Sequence, residues 1–574
     1  MKRIVFLGFW LIACGTLLVG VWANGQMLGG SSSDPDSETE PSRCFNEATI
    51  RVTASPSTVT LGQSSVVSWS VGLPNGCSAV HVRLNGEAVA TSGSRSVSPS
   101  RSTTYTVRIS ETRLGVYAEK SESTRVEVAY PPRVVIDPNT LNPVQVLIGA
   151  LVDSTNDEQT VELGCVDLDL TGHSLDINRD NRSLIASPDC ARGPRRLGPR
   201  IFVTDKNRGR SALFMIRGDN IRFSGFRLQG PTSGIGQGDD NKEKGILISP
   251  LPATGPIHNI EISNMEIFHW SGVGVQVDDN VDMAERGRLF NTNVGAVRIR
   301  NNYFHHNRHG AGEGYGVSST AGAYVLIEQN VFDENRHAIA GGSKNSKGND
   351  YSGYTARDNL ILSGGGKHCS EFFLFALTGW RFNCWQTHQI DMHGDKNEWY
   401  SSHNWQCGTA GETIIIQRNT ILYTSGLAIK IRGNPADKAV VDGNVFKHKS
   451  RSDAIVQNGE CGWGDDITNP IDVRPNNVFK ADPITELGSG DFFGDGKQDQ
   501  FMATGVTWWA KSPTTLQWRY LNTMPERLPQ LQLGKIDGDT VCDVAPRTRR
   551  PEIRPEKYSK GGTTPWLPLN VIKQ

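Results

Sequence analysis

The fold is decided by a run of look-alike segments: VRIRNNYF (297–304), VLIEQNVF (325–332), YTARDNLI (354–361), IIIQRNTI (414–421) and VVDGNVF (440–446). Each reads as a short alternating strand, an Asn, then two mostly apolar residues. IEISNMEI at Asn264 and RPNNVF at Asn477 extend the series, and IRFSGFRL places Gly225 where the others carry Asn. From Gly225 to Asn477, through Asn264, Asn302, Asn330, Asn359, Asn419 and Asn444, the steps are 39, 38, 28, 29, 60, 25 and 33 residues. A minimum near 25 with variable excess is one coil plus loops of differing length. No 3.6-residue periodicity runs through these segments, which excludes a helical repeat. Asn stacked at a sharp corner lets side-chain amides bond along the stack, as in ladders. The pattern predicts an all-β chain whose middle, residues 131–484, is a right-handed parallel β-helix, a solenoid whose coils bury one another.

Composition agrees. The chain has 574 residues, 61 of them Gly, a surplus expected where a backbone must turn tightly many times. With 59 Lys+Arg against 60 Asp+Glu the formal charge is -1. That balance excludes electrostatic binding of nucleic acid or of anionic membrane surfaces.

At the N-terminus, Lys2 and Arg3 precede an uncharged, mostly apolar run to Ala23, the layout of an export signal over residues 1–23. Three outcomes stay open: cleavage after Ala23, lipidation at Cys14 of the lipobox-like LIAC, or retention as a membrane anchor. All three deliver the rest of the chain outside the cytoplasm, to the cell surface, the medium or the periplasm. Residues 24–43 are an acidic, polar tether. In an oxidising compartment, near neighbours in sequence are candidate disulfides: Cys44–Cys77, Cys165–Cys190, Cys369–Cys384 and Cys407–Cys461, with Cys542 left over.

Residues 44–130 alternate and are rich in β-branched side chains, with Asn85-Gly86 as a hairpin signal and Trp69 as a filler between sheets. Through ASPSTVTLGQSSVVSWSV and STTYTV this stretch resembles a bacterial immunoglobulin-like module, which implies a spacer or docking role. The solenoid resembles the pectate-lyase-like superfamily. Its NRHAIAGG, IDMHG, AGETIIIQRNTI and AIKIRG resemble a group of exported bacterial β-helix proteins. In residues 485–546, GDFFGDGKQDQF and GKIDGDTVCDVA resemble FG-GAP (VCBS-type) repeats. That resemblance implies Ca²⁺ as the candidate ion, held by Asp491, Asp495 and Asp499 and by Asp537, Asp539 and Asp543. Phe493 and Lys535 stand where further ligands are expected. Residues 547–574, Pro-rich and basic, are expected to be loosely ordered, and the C-terminal module to dock on the end of the solenoid or to pair elsewhere.

Chemistry on a solenoid sits on outer sheet faces and in the loops that break the period. The 60-residue step holds HQIDMHG. Read as a strand, it turns Ile390 and Met392 inward and Asp391 and His393 outward, about 6.6–7 Å apart. One coil later, LAIKIRG turns Lys430 and Arg432 outward, about 4.8 Å away if the coils stack in register. A carboxylate, an imidazole and two cations on one face suit an acidic sugar. Removing the proton at C5 of a uronate needs a base, His393, and cations to neutralise the carboxylate, Arg432 and Lys430. Asp391 then orients the imidazole or holds a hydroxyl. Asp391-Met392-His393 is similar to the D-P-H motif of alginate C5-epimerases, with Met392 in place of Pro and Gly394 where an acidic residue follows.

His388, Trp399, Trp405, Arg336, His337 and Glu412 are the candidate substrate contacts, and Trp385 flanks the same strand. A glycoside hydrolase would need two carboxyls about 5–5.5 Å or 6.5–9.5 Å apart. Asp391, Asp395, Glu398 and Glu412 are on offer for that. A second cluster holds His305, His306, Arg308, His309, Glu313 and Tyr315, without metal-site spacing. The expected function is therefore an exported lyase or epimerase on uronate-containing glycans. The alternatives are a non-catalytic glycan-binding surface protein and a glycoside hydrolase. The partner is a polysaccharide, and contact with a membrane comes only through the N-terminal segment.

Overall fold

In a computed structural model of the chain, the described residues are 42–77, 81–113, 116–205, 212–231, 243–250, 257–278, 297–308, 313–342, 351–373, 380–394, 408–458, 467–480, 486–548 and 555–568. They fall into two compact units, one drawn from residues up to 52, 69–93 and 106–122, the other from 53–68, 94–105 and 123 onward.

The second unit is built on three parallel sheets of eleven, nine and nine strands. The first sheet runs from Arg133–Ile136 to Asp472–Val473, the second from Asp167–Asp169 to Val445–Phe446, the third from Leu175–Ile177 to Ile455–Asn458. The chain visits them in rotation: Tyr324–Glu328 in the first, Val331–Asp333 in the second, His337–Gly341 in the third, then Gly353–Arg357 back in the first. This is the right-handed parallel β-helix that the repeat predicts. Val325, Ile327, Ala356, Ile414 and Ile416 are fully buried at the alternate positions of first-sheet strands. Each such Val or Ile contributes about 1.5–3 kcal/mol of burial.

At the corner between the first and second sheets, the side-chain amides form a ladder. Asn302 donates to Asn330 at 3.0 Å, Asn330 to Asn359 at 3.1 Å, Asn359 to Asn419 at 2.9 Å, Asn419 to Asn444 at 2.9 Å and Asn444 to Asn477 at 3.0 Å. The second amide hydrogen of Asn302 goes to the Ile262 carbonyl, and those of Asn330, Asn359 and Asn419 go likewise to Ile299, Ile327 and Ala356. A buried amide satisfied in this way avoids the cost of an orphaned polar group.

Asn264 is a correction to the expected register. It stands one residue earlier, in the left-handed position that Asn301, Gln329, Asp358 and Arg418 also adopt (φ 52°, 56°, 61°, 56° and 52°). The ladder position of its coil is Met265, whose backbone N–H donates to Asn302 Oδ1 at 2.9 Å. Gly225 occupies the same left-handed position at φ 88°, where glycine has no Cβ penalty. A second ladder, not read from the repeat, lies between the second and third sheets. There Asn307 donates to Asn335 at 2.9 Å, and Asn335 to the Phe304 carbonyl at 2.9 Å.

Nearer the N-terminus, strands form a three-stranded and a five-stranded sheet. Asn85 and Gly86, at φ 48° and 91°, make the expected hairpin turn. Trp69 is buried, and its indole N–H donates to the Ala90 carbonyl at 2.9 Å. Cys44–Cys77 and Cys165–Cys190 are disulfides, and Cys542 is free and buried. Cys369 stands opposite Cys384 across the antiparallel pair Lys367–Phe373 and Trp380–Gln386. The side chains of that second pair, and all of Cys407 and Cys461, lie outside the described residues.

The C-terminal module carries a four-stranded antiparallel sheet around Phe501, Trp508, Leu521 and Val544. It lies on the side of the solenoid, where Met502 and Trp509 pack with Val331, Leu360 and Val445 of the second sheet. Among the described residues of the tail, Lys557–Tyr558 pairs with Leu567–Pro568, and Trp566 packs on the module core, so this part is held more firmly than its prolines and charge predict.

Candidate functional site

The strand Ile390–Met392 belongs to the third sheet, with Asp391 opposite Lys430 in register. Alternation is as expected, since Ile390 and Met392 are fully buried. The exposure of Asp391 is not: it too has no exposed surface, and Arg432 keeps only 8%. The expected open outer face is corrected to a covered one. Pointing outward from a sheet does not make a side chain wet when its neighbours close over it.

Three side chains converge on one oxygen. Asp391 Oδ2 lies 2.7 Å from His393 Nε2, 3.1 Å from His388 Nε2 and 3.1 Å from Arg432 Nη2. Arg432 Nη2 also lies 3.0 Å from His388 Nε2, and its Nη1 lies 3.4 Å from His393 Nδ1. Burial opposes ionisation of Asp391, but His393, His388 and Arg432 outweigh it and hold the carboxyl well below its usual range. Burial pushes His388 down to about 4, against the pull of Asp391, so that ring is neutral at pH 7. His393 is the part-open member, its side chain 26% exposed. Its backbone N–H is fixed by the Gly341 carbonyl at 2.9 Å, and the Tyr354 hydroxyl holds the Asp391 carbonyl at 3.0 Å.

The same sheet carries a stack of rings. Tyr315 lies 5.5 Å from His337, and His337 lies 4.3 Å from His388, centroid to centroid. His337 is fully buried and its Nδ1 bonds the His388 carbonyl at 2.5 Å. Arg336 packs its guanidinium 5.7 Å over the Tyr315 ring. So Arg336, His337 and His388 lie together on this sheet, and Tyr315 reaches the same stack from the other sequence cluster. Aligning GEGYG, NRHAIAG and THQIDMH by coil would have found this stack.

One ligand atom each of His337, His388 and Asp391 lies within 4.8 Å of the others, a set able to hold a metal. His337 Nε2 and Asp391 Oδ1 are buried without a hydrogen-bond partner among the described residues. Arg432 already supplies positive charge to that carboxylate.

Other expected members lie elsewhere. Glu412 sits just before Thr413–Gln417 of the first sheet. Trp399, Trp405, Asp395, Glu398 and His309 lie outside the described residues, and Trp385 is exposed at the end of its hairpin. His305 belongs to the second sheet, bonded to Glu266 at 2.9 Å and to His306 at 2.9 Å. Burial, then His305, pushes His306 down to about 4.

The two acidic loops differ. One oxygen each of Asp537, Asp539 and Asp543 converges within 4.8 Å, whereas Asp491, Asp495 and Asp499 form no such set. In the converging loop Lys560 Nζ stands 3.2 Å from Asp537 and 3.1 Å from Asp539. A calcium ion there fits the donors only if that ammonium leaves. In the other loop Asp491 and Asp499 spend oxygens on backbone N–H groups of the loop itself.

No family model matches the chain, and no curated protein matches it. Among solved structures it is similar to the catalytic unit of a GH87 alpha-1,3-glucanase from Streptomyces thermodiastaticus, at 12% identity over 76% of this chain and 84% of that one, TM-score 0.30. It is also similar to tailspike protein 2 of an Escherichia coli bacteriophage, at 13% identity over 72% and 55%, TM-score 0.24. A GH87 alpha-1,3-glucanase catalytic domain in complex with nigerose aligns at 9% identity over 72% and 91%, TM-score 0.18.

Proposed function

We propose that the chain is an exported polysaccharide-active protein that acts on uronate-containing glycans as a lyase or C5-epimerase, through the third sheet of its β-helix. The observation that carries this reading is the Asp391–His393–Arg432 geometry. When the His393 Nε2–H donates its hydrogen bond to Asp391, Nδ1 is the ring nitrogen left to take a proton, 3.4 Å from Arg432 Nη1. A uronate carboxylate paired with Arg432 then brings its C5 proton to that nitrogen. Proton removal there is general base catalysis, ordinarily worth about 10²–10⁴ in rate. The C5–H electron pair either forms the C4=C5 bond and expels the C4 oxygen, which takes up the proton held by His393 or one from water, or takes a proton from water on the opposite face. Asp391 is a positioning residue, and Lys430, opposite it in register, is a second cation for the developing charge. Export is supported by the signal-like N-terminus and by two disulfides. Among the described residues no helix is long and apolar enough to cross a membrane.

The test is incubation of the purified chain with pectin, alginate and glycosaminoglycans. Unsaturated-uronate absorbance reports a lyase, and deuterium uptake at C5 from heavy water reports an epimerase. Turnover that survives in both His393→Ala and Arg432→Ala would sink the site. The complete burial of Asp391 favours a second reading, glycan binding without turnover, which saturable binding with neither signal would support.

A further inference from the structure

A cavity of about 380 Å³ lies between the C-terminal module and the first corner of the solenoid, away from the third sheet. Arg192, Asn301 and Gln329 line it from the solenoid, and Trp518, Arg519 and Tyr520 from the module. Its volume falls within the ordinary range of small-ligand pockets.

The charges there do not balance. Arg192 is 3% exposed, and its guanidinium is shared among neutral acceptors: Gln517 Oε1 at 3.1 Å, Asn264 Oδ1 at 3.4 Å and the Asn301 carbonyl at 3.4 Å. Arg519 donates Nη1 to the same Asn264 oxygen at 3.2 Å, while its Nε and Nη2 are buried without a partner among the described residues. Neither arginine makes an ion pair with a carboxylate among the described residues. The nearby carboxylate, Glu266, bonds His305 through one oxygen at 2.9 Å; its other oxygen is buried without a partner among the described residues, and its single charge offsets the two guanidiniums only in part. Burial pushes Arg192 down to about 10, and burial followed by Arg192 pushes Arg519 well down. A guanidinium does not give up its proton in a protein, so two of them sharing a low-dielectric cavity call for an anion.

We propose that this cavity binds a carboxylate-bearing ligand of monosaccharide size, its carboxylate bridging Arg519 and Arg192. The forked donors of Arg519 match a carboxylate, the amides of Asn301 and Gln329 suit hydroxyl groups, and Trp518 and Tyr520 offer ring faces. The cavity stands on its own residues and does not depend on chemistry at Asp391.

The experiment is calorimetric titration of the full chain with glucuronate, with glucose as the neutral isostere and with chloride, sulfate and acetate as bare anions. The expected result is a saturable glucuronate site, separate from any at Arg432, that glucose does not fill. It persists in Arg432→Ala and weakens at least about tenfold in Arg519→Gln, the loss of one charge-assisted hydrogen bond. Full binding by Arg519→Gln, or no glucuronate site in the wild type, overturns the proposal. So does occupation by chloride or sulfate as tight as by glucuronate, since the cavity is then a simple ion site. If Arg519→Gln does not fold, the glucose and bare-anion arms on the wild-type chain still decide.

Discussion

His393 Nε2 stands 2.7 Å from Asp391 Oδ2, and the carboxylate it meets is wholly buried while the imidazole is not. One partner is locked and the other is within reach of a ligand. Under the proposed function that division makes Asp391 the positioning residue and His393 the reacting one, and it sets the first prediction.

Asp391→Asn leaves Arg432 buried without its counter-charge, an imbalance that costs about 3–5 kcal/mol. His393→Gln, at the part-open edge, costs far less. Because its folded value is depressed, Asp391 contributes stability above its unfolded value near 4, and that contribution is lost as pH falls below it. Urea unfolding of the wild type should show this acid-side loss, and Asp391→Asn should flatten it.

The C-terminal module should show the opposite slope. Burial raises Asp499 to about 6, with Asp495 and Asp491 adding to it against backbone hydrogen bonds from Phe492 and Phe493. A raised carboxyl is fully favourable below its unfolded value near 4, and its contribution is lost as pH rises toward 6. Thermal melts in chelator should fall for the wild type between those values. Asp499→Asn should remove the fall, and an unchanged slope would put the titration elsewhere.

Lys560 and calcium should compete for one loop. With the ammonium on Asp537 and Asp539, added Ca²⁺ is expected to leave the wild-type melting temperature unmoved by this loop. Lys560→Met leaves three converging carboxylates uncompensated, which lowers the melting temperature in chelator and makes it rise with Ca²⁺. Equal responses from both proteins would show that Lys560 does not stand in for an ion.

Breaking the corner ladder in its middle should cost more than surface polar changes do. Asn359→Ala removes the acceptor of the Asn330 amide at 3.1 Å and the donor to Asn419 at 2.9 Å. Orphaned buried groups cost about 1–3 kcal/mol each. The denaturation midpoint is the readout, with an exposed Asn such as Asn139 as control.

The solenoid was readable because every coil solves the same local problem. A left-handed corner followed by a buried amide recurs from Asn302 to Asn444, and the amide itself on to Asn477, whatever the loops between them do. Asn264 was misplaced by one residue because Asn suits both the corner and the ladder, and only the bond from Met265 to Asn302 separates them. The second ladder at Asn307 and Asn335 escaped because two members make no visible period. At the site, residue types and facing were readable from IDMHG and AIKIRG, and so was the opposition of Asp391 and Lys430. The part of Tyr315 needed an alignment by coil, since the histidines of its own cluster, led by His305, belong to a different sheet.

The amino-acid sequence by itself determined the coil, its corners, the inward alternation and two of the disulfides, since each depends on residues close in the chain or at one repeated position. Tertiary structure alone decided which outward side chains are covered. His388 and Arg432 are 44 residues apart, yet they meet at 3.0 Å beside the same carboxylate. Alternation says which way a side chain leaves the sheet. Parallel stacking of distant coils says what lies on top of it, and that covering sets charge, reach and chemistry.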